Sequence, residues 1–307
     1  MRGDALVFPG QGAQTPGMGA ELVALGCSPD LIDAAEAEGV ELRRLLVEAG
    51  PEELRQTDAA QPALFYVGVA LFRLLQKGGL NPDLAAGHSL GEYCALVAGG
   101  SLTAEAGMRL VIRRARAMAA APPGTMAAVL GLDPAALESI CAEVTATGAL
   151  CVVANDNSPQ QQVVSGTQEG VEEVSRRARQ AGARKVVPLQ VGGAFHSPLM
   201  AGPAAEFAPA IAETEIRDPL FPVAAGALGR MVTTSQEVRR GLEVQLESPV
   251  RWTATVRALA AAGAARYLEC GPGATLGALI KRVLEAPVVV QVDSPGRAEG
   301  VAGGALP

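Results

Sequence analysis

The chain has 307 residues, 49% apolar but only 3% aromatic, which suits one large α/β domain with a smaller insertion and a core of Ala, Val and Leu. Its net charge of −7, with the arginine runs confined to helical patterns, excludes nucleic acid as an expected partner. Five scattered cysteines (Cys27, Cys94, Cys141, Cys151 and Cys270), none in a Cys-x-x-Cys pair, predict reduced thiols in a cytoplasmic protein and argue against zinc.

Ala5-Leu6-Val7-Phe8 predicts a short buried strand ending in the Gly-rich loop Pro9-Gly10-Gln11-Gly12-Ala13-Gln14. The N-terminus has no signal-peptide layout, and no apolar run approaches the roughly 20 residues a membrane helix needs. Helical patterns continue to about residue 50, and Gln61 to Gln76 reads as one long helix. Leu84 then opens a strand that runs into Gly87-His88-Ser89-Leu90-Gly91, with a helical run from Glu92 to Ala98. This is G-x-S-x-G in its strand–turn–helix setting. A Cβ at either glycine would collide with backbone, and the strained turn pushes the Ser89 hydroxyl outward. Leu90 offers its N–H at a helix start, where negative charge is favoured. In a chain with 36 glycines, a Gly-rich turn with an incidental serine is the alternative.

A further helix runs from about Thr103 to Ala120 and stops at Pro122-Pro123-Gly124. On a helical wheel Met108, Val111, Ile112, Ala115 and Ala119 form an apolar arc, with Arg109, Arg113 and Arg116 opposite. Arg114 falls instead among Gly107, Leu110, Ala117 and Met118, at the margin of the buried face. An arginine there needs an anionic partner or must snorkel to water. A structural salt bridge meets that need, and so does a substrate carboxylate held by two parallel hydrogen bonds. The Arg114 helix directly follows the one that Ser89 opens, so both border one cleft in the second case.

From Met126 the pattern becomes strand (to Leu132), helix from Asp133-Pro134 to about Thr145, strand (Leu150 to Ala154), and the turn cluster Asn155-Asp156-Asn157-Ser158-Pro159. Gln162 to Ser165 is again a strand, Gln168 to Ala181 a helix, and Lys185 to Val191 a strand. That β-α-β-β-α-β order is the split βαβ of a ferredoxin-like unit. The expected organisation is a large domain over residues 1–124 and 192–293, an insertion at 125–191, and a flexible Gly, Ala and Pro-rich tail at 294–307. Tyr267 to Gly273 predicts a strand ending in a Gly-rich loop, and Thr275 to Leu284 a helix.

A serine nucleophile needs a group to take its proton, and histidine is the usual one. Of the two histidines, His88 is the immediate neighbour of Ser89 on the elbow and should point elsewhere, which leaves His196. No carboxylate is an obvious partner for its ring. A main-chain carbonyl would serve as well, because only an acceptor is required.

Taken together, the motifs resemble the malonyl-CoA:acyl carrier protein transacylase family, including the discrete acyltransferases of polyketide synthases. The resemblance covers about residues 4–292. It rests on Phe8 to Gln14, Gln61-Pro62-Ala63-Leu64, Gly87 to Tyr93, Arg114 with Met118, Asn155 to Pro159, Ala194-Phe195-His196-Ser197, Gln245 before Ser248-Pro249-Val250, and Gly271-Pro272-Gly273. It implies an α/β-hydrolase-like core with a parallel sheet and a ferredoxin-like insertion. It implies Ser89 as nucleophile, His196 as base, Arg114 as the clamp for the malonyl carboxylate, and the N–H groups of Gln11 and Leu90 as oxyanion hole. The Gln245 carbonyl would orient His196, and Phe195 would favour malonyl over methylmalonyl. The implied partners are malonyl-CoA and the phosphopantetheine of an acyl carrier protein, with no metal or other cofactor, no membrane, and a monomeric enzyme. Two departures stand out: Gly192 or Gly193 where the family often has Ser, and the segment around Gly226 where it usually has Asn. The competing functions are a serine hydrolase or editing acyl-thioesterase with the same Ser-His pair, and a non-catalytic module that docks carrier protein.

Overall fold

A computed structural model of the protein describes residues 3–304. Gly3–Phe8 forms β1, whose last four residues are buried on both faces, as the unbroken apolar run requires. Three short helices follow: α1 (Ala20–Ala24), α2 (Pro29–Ala37) and α3 (Leu42–Val47). The long helix α4 (Thr57–Lys77) begins earlier than its apolar pattern does and carries Pro62 inside it. Pro62 leaves one ladder bond unmade, a cost tolerated near the helix start. Contrary to the sequence expectation, α4 is long and apolar enough to cross a membrane by length and composition. Most of it is instead buried within the protein, against α5, α6 and α13 defined below.

β2 (Leu84–Gly87) lies parallel beside β1 and turns directly into α5 (Gly91–Ala98). α6 (Ala104–Ala119) starts where the Thr103 hydroxyl accepts the Ala106 N–H. Its wheel is as expected for Arg109, Arg113 and Arg116, which are exposed, and for Arg114, which is buried. Ala119, placed on the apolar arc from its periodicity, is exposed in the last turn.

The next six elements are β3 (Thr125–Leu130), α7 (Pro134–Ala146), β4 (Cys151–Ser158), β5 (Gln161–Gly166), α8 (Gln168–Gln180) and β6 (Lys185–Pro188). They form an antiparallel sheet in the order β4-β5-β3-β6, the ferredoxin-like arrangement, with its own core around Val129, Leu137, Val144, Val164 and Val174. The predicted turn at Asn155-Asp156-Asn157-Ser158 is a correction, because β4 continues through it. The strand bulges there, and its outer edge pairs with Val250 of the large domain. Val250 donates to the Ala154 carbonyl (2.8 Å) and accepts from the Asp156 N–H (2.9 Å). A partner so distant in sequence overrides the local turn preference of Asn and Asp.

The chain returns through α9 (Ala201–Glu213), β7 (Val223–Ala225), β8 (Arg230–Val232), α10 (Ser235–Val244), α11 (Trp252–Ala261), β9 (Ala264–Cys270), α12 (Thr275–Val283), β10 (Val288–Val292) and α13 (Pro295–Ala302). The main sheet has the order β10-β9-β1-β2-β7-β8. It is parallel except for β8, which closes one edge as an antiparallel hairpin with β7. The flexible tail expected at 294–307 is corrected for residues 295–302, which form α13 with Ala298 and Val301 buried. Ser294 caps it through the Arg297 N–H, Pro295 sits in its first turn, and the helix packs on α4. Residues 305–307 lie outside the described part.

Candidate active site

The elbow is built by close backbone crossing. A Cβ on Gly87 would lie 1.8 Å from the Gly91 carbonyl carbon, and one on Gly91 would lie 2.0 Å from the Phe8 carbonyl oxygen. Only glycine permits β2 to turn into α5 this tightly beside β1. Ser89 takes φ of 51° and His196 φ of 57°, strained positions for residues with side chains.

Those two strained residues meet. Ser89 Oγ donates to His196 Nε2 at 2.8 Å. His196 Nδ1 donates to the carbonyl of Gln245 at 3.0 Å and to that of Ser248 at 3.1 Å. The ring is thus fixed with its acceptor nitrogen toward the serine, and main-chain oxygens hold it. Ser248, quoted in the sequence only as part of a motif, shares this role with Gln245. His88 points away, as expected: it donates from Nε2 to Asn157 Oδ1 (2.8 Å) and lies 5.6 Å from the Trp252 ring.

Arg114 is fully buried and reaches the same serine, with Nη2 donating to Ser89 Oγ at 2.9 Å. Nη1 donates to Gln61 Oε1 (2.8 Å) and Nε to Gln245 Oε1 (3.1 Å), and the guanidinium lies over the Tyr93 ring at 5.6 Å. Among the described residues no carboxylate comes within ion-pair distance of it. Of the possibilities the sequence left open, a structural salt bridge is therefore not formed, and the fully buried side chain does not snorkel to water.

Ser89, His196, Arg114, Gln61 and His88 line a cavity of about 480 Å³ between the large domain and the small sheet. Gln11, Leu90 and Phe195 border it, Phe195 also packing into the main core. The N–H groups of Gln11 and Leu90 have no protein acceptor among the described residues, so both remain free to bind an anion. A Cβ on Gly193 would press the Phe195 ring at 2.9 Å, whereas Gly192 has open space. Gly226 gives its N–H to Glu92 Oε2 at 3.2 Å. Sequence reasoning gave no role to the side chains of Gln61, Gln245 and Glu92. Their only sequence signal is polarity within otherwise apolar, buried stretches.

Burial is the main cause of every charge shift here. It pushes His196 down to about 3, reinforced by the Arg114 charge and opposed by the Gln245 and Ser248 carbonyls. It lowers His88 and Arg114, and raises Glu92 to about 7. His196 is therefore a neutral imidazole, ready to accept a proton, across the physiological range. An unfolded chain would protonate it near pH 6.5, so its contribution costs stability as pH falls from about 6.5 toward 3. With only two histidines, proton NMR can follow both. The His196 ring signal should not titrate between pH 6 and 8, the His88 midpoint should lie below that of a free histidine, and Arg114→Ala should move the His196 midpoint upward. A midpoint near 6.5 in the unsubstituted protein would contradict the buried geometry.

Residues 5–303 match the acyl transferase domain family. The malonyl CoA-acyl carrier protein transacylase of Bacillus subtilis is 39% identical over 296 residues, covering 95% of this chain and 93% of that protein. Among solved structures, the malonyl-CoA:acyl carrier protein transacylase of Xanthomonas oryzae has a TM-score of 0.91 at 41% identity, over 99% of this chain and 98% of its own. A malonyl-transacylase solved with a type II polyketide synthase acyl-carrier protein has a TM-score of 0.91 at 34% identity, over 98% and 99% of the two chains. The match spans the large domain and the small sheet alike, and this chain belongs to the acyl transferase domain family.

Proposed function

We propose that the protein is a malonyl-CoA:acyl carrier protein transacylase, serving fatty acid or polyketide synthesis through an O-malonyl-Ser89 intermediate. Ser89 attacks the thioester carbonyl while His196 Nε2 takes its proton, and the imidazolium is held by the carbonyls of Gln245 and Ser248. The N–H groups of Gln11 and Leu90 receive the oxyanion. The CoA thiolate leaves with the proton from His196. The phosphopantetheine thiol of the carrier protein then gives its proton to His196 and attacks the ester, and Ser89 leaves as its Oγ takes that proton back from His196. Malonyl-CoA and the carrier enter as substrates, and the residues named need no resident metal. Phe195 crowds the space where an α-methyl would sit. A cytoplasmic location fits five free thiols and this set of soluble substrates.

The observation that carries this function is a buried guanidinium 2.9 Å from the nucleophile with only neutral partners. Such a charge is costly unless an anion arrives, and a carboxylate on the acyl group is that anion. A hydrolase of uncharged esters has no use for it. Incubation with malonyl-CoA should add one malonyl group to the intact mass, and holo carrier protein should then remove it. Free malonate released at the same rate with and without carrier would make the protein a hydrolase. No mass change would leave only a docking module.

A further inference from the structure

Glu92 sits in the first turn of α5, 2% exposed, and has no part in the chemistry above. Its Oε2 accepts from Gln245 Nε2 at 2.8 Å as well as from the Gly226 N–H. Gln245 is the junction of the site. Its main-chain oxygen holds His196, its Oε1 accepts from Arg114 Nε, and its Nε2 also approaches the Ser89 carbonyl at 3.3 Å. A glutamine amide has two orientations of nearly equal shape. The flipped one would set NH₂ against the Arg114 Nε–H, and its oxygen against both Glu92 and the Ser89 carbonyl. Burial raises Glu92 to about 7, but the Gln245 amide, the Gly226 N–H and the Arg114 charge all favour its ionised form. In that form the carboxylate can only accept, so it rejects the flipped orientation.

Resting on the transacylase function proposed above, we propose that Glu92 is a positioning residue for acyl selectivity: it fixes the Gln245 amide, and through it the Arg114 guanidinium that receives the acyl carboxylate. Gly226 leaves room for this bond. A Cβ there would lie 3.3 Å from Glu92 Oε2, crowding the oxygen that accepts from the Gly226 N–H. The device acts on the Gln245 side chain and leaves its main-chain oxygen on His196. It therefore sets which acyl group binds, while the proton transfer is untouched.

The test compares malonyl-CoA with acetyl-CoA in Glu92→Gln. A glutamine at 92 can donate to Gln245 Oε1, so the amide is free to flip. KM for malonyl-CoA should rise by about 10- to 100-fold, the worth of a hydrogen bond to a charged group, with the acetyl-CoA values changing little. Gln245→Met, which keeps the main-chain carbonyl, should lower the malonyl-over-acetyl preference by itself. In the double variant the Glu92 effect should vanish rather than add. Equal losses for both acyl groups in Glu92→Gln, or additive effects in the double variant, would overturn the proposal. An unchanged malonyl preference in Gln245→Met would do so even if Glu92→Gln failed to fold. Wild-type protein that takes up no malonyl group would overturn the function itself, a result distinct from selective failure of the variants.

Discussion

A Ser89→Ala protein will take up no malonyl group, and its transfer rate will fall by about 10⁶-fold, as when other hydroxyl nucleophiles are removed from a working set. The reason is chemical division of labour. With Ser89 present, one difficult exchange between two thiols becomes two ester exchanges, each with a base at 2.8 Å. Without it, His196 has no hydroxyl to deprotonate, and Arg114 loses the oxygen it donates to. Alanine keeps the backbone strain of the elbow, so the comparison is one of chemistry and not of folding. Intact-mass spectrometry after incubation with malonyl-CoA, with thermal melting alongside, reads the result. A malonyl adduct that survives the substitution would move the nucleophile elsewhere.

Arg114→Ala should cost malonyl transfer about 3–5 kcal/mol, roughly 10² to a few times 10³ in kcat/KM, because a desolvated charge pair loses one partner. The acyl carboxylate would enter a site whose remaining polar groups nearby, Gln61 and Gln245, present oxygens. Two acceptors facing an anion repel it. An uncharged acetyl group meets no such repulsion and gains space, so the malonyl-to-acetyl ratio should collapse or invert. Steady-state kinetics with both CoA esters measures it. Equal losses for the two would show that Arg114 supports the fold or the serine and does not select the acyl group.

Much of the architecture could be read in the sequence because local patterns and the final contacts agree. The apolar run at β1, the glycines around Ser89 and the helix–strand alternation of the insertion each point to one structure. The misses share a cause. Asn155 to Ser158 carry turn-forming side chains, yet their strand is dictated by Val250, nearly a hundred positions away. Residues 295–302 have the composition of a tail, but Ser294 and Pro295 start a helix whose small side chains fit against α4. The site divides the same way. Ser89 came from a local motif, His196 from there being only two histidines, and Arg114 from one odd place on a wheel. Gln11, the Gln245 carbonyl and Phe195 came only through the family likeness. Glu92 and the side chains of Gln61 and Gln245 are joined by distances that no single segment encodes.

The pairing of β4 with Val250 joins the small sheet to the stretch of chain that carries the Gln245 and Ser248 carbonyls. Asn157 of the same strand grips His88 beside the nucleophile. The inserted unit is therefore no detachable lobe: it is sewn to the ring that takes the proton and to the bend that holds the hydroxyl. Anyone grafting this unit between related enzymes to change acyl choice would have to carry residues 154–157 and 245–250 as one piece. A chimera that splits the two would arrive with its imidazole unanchored.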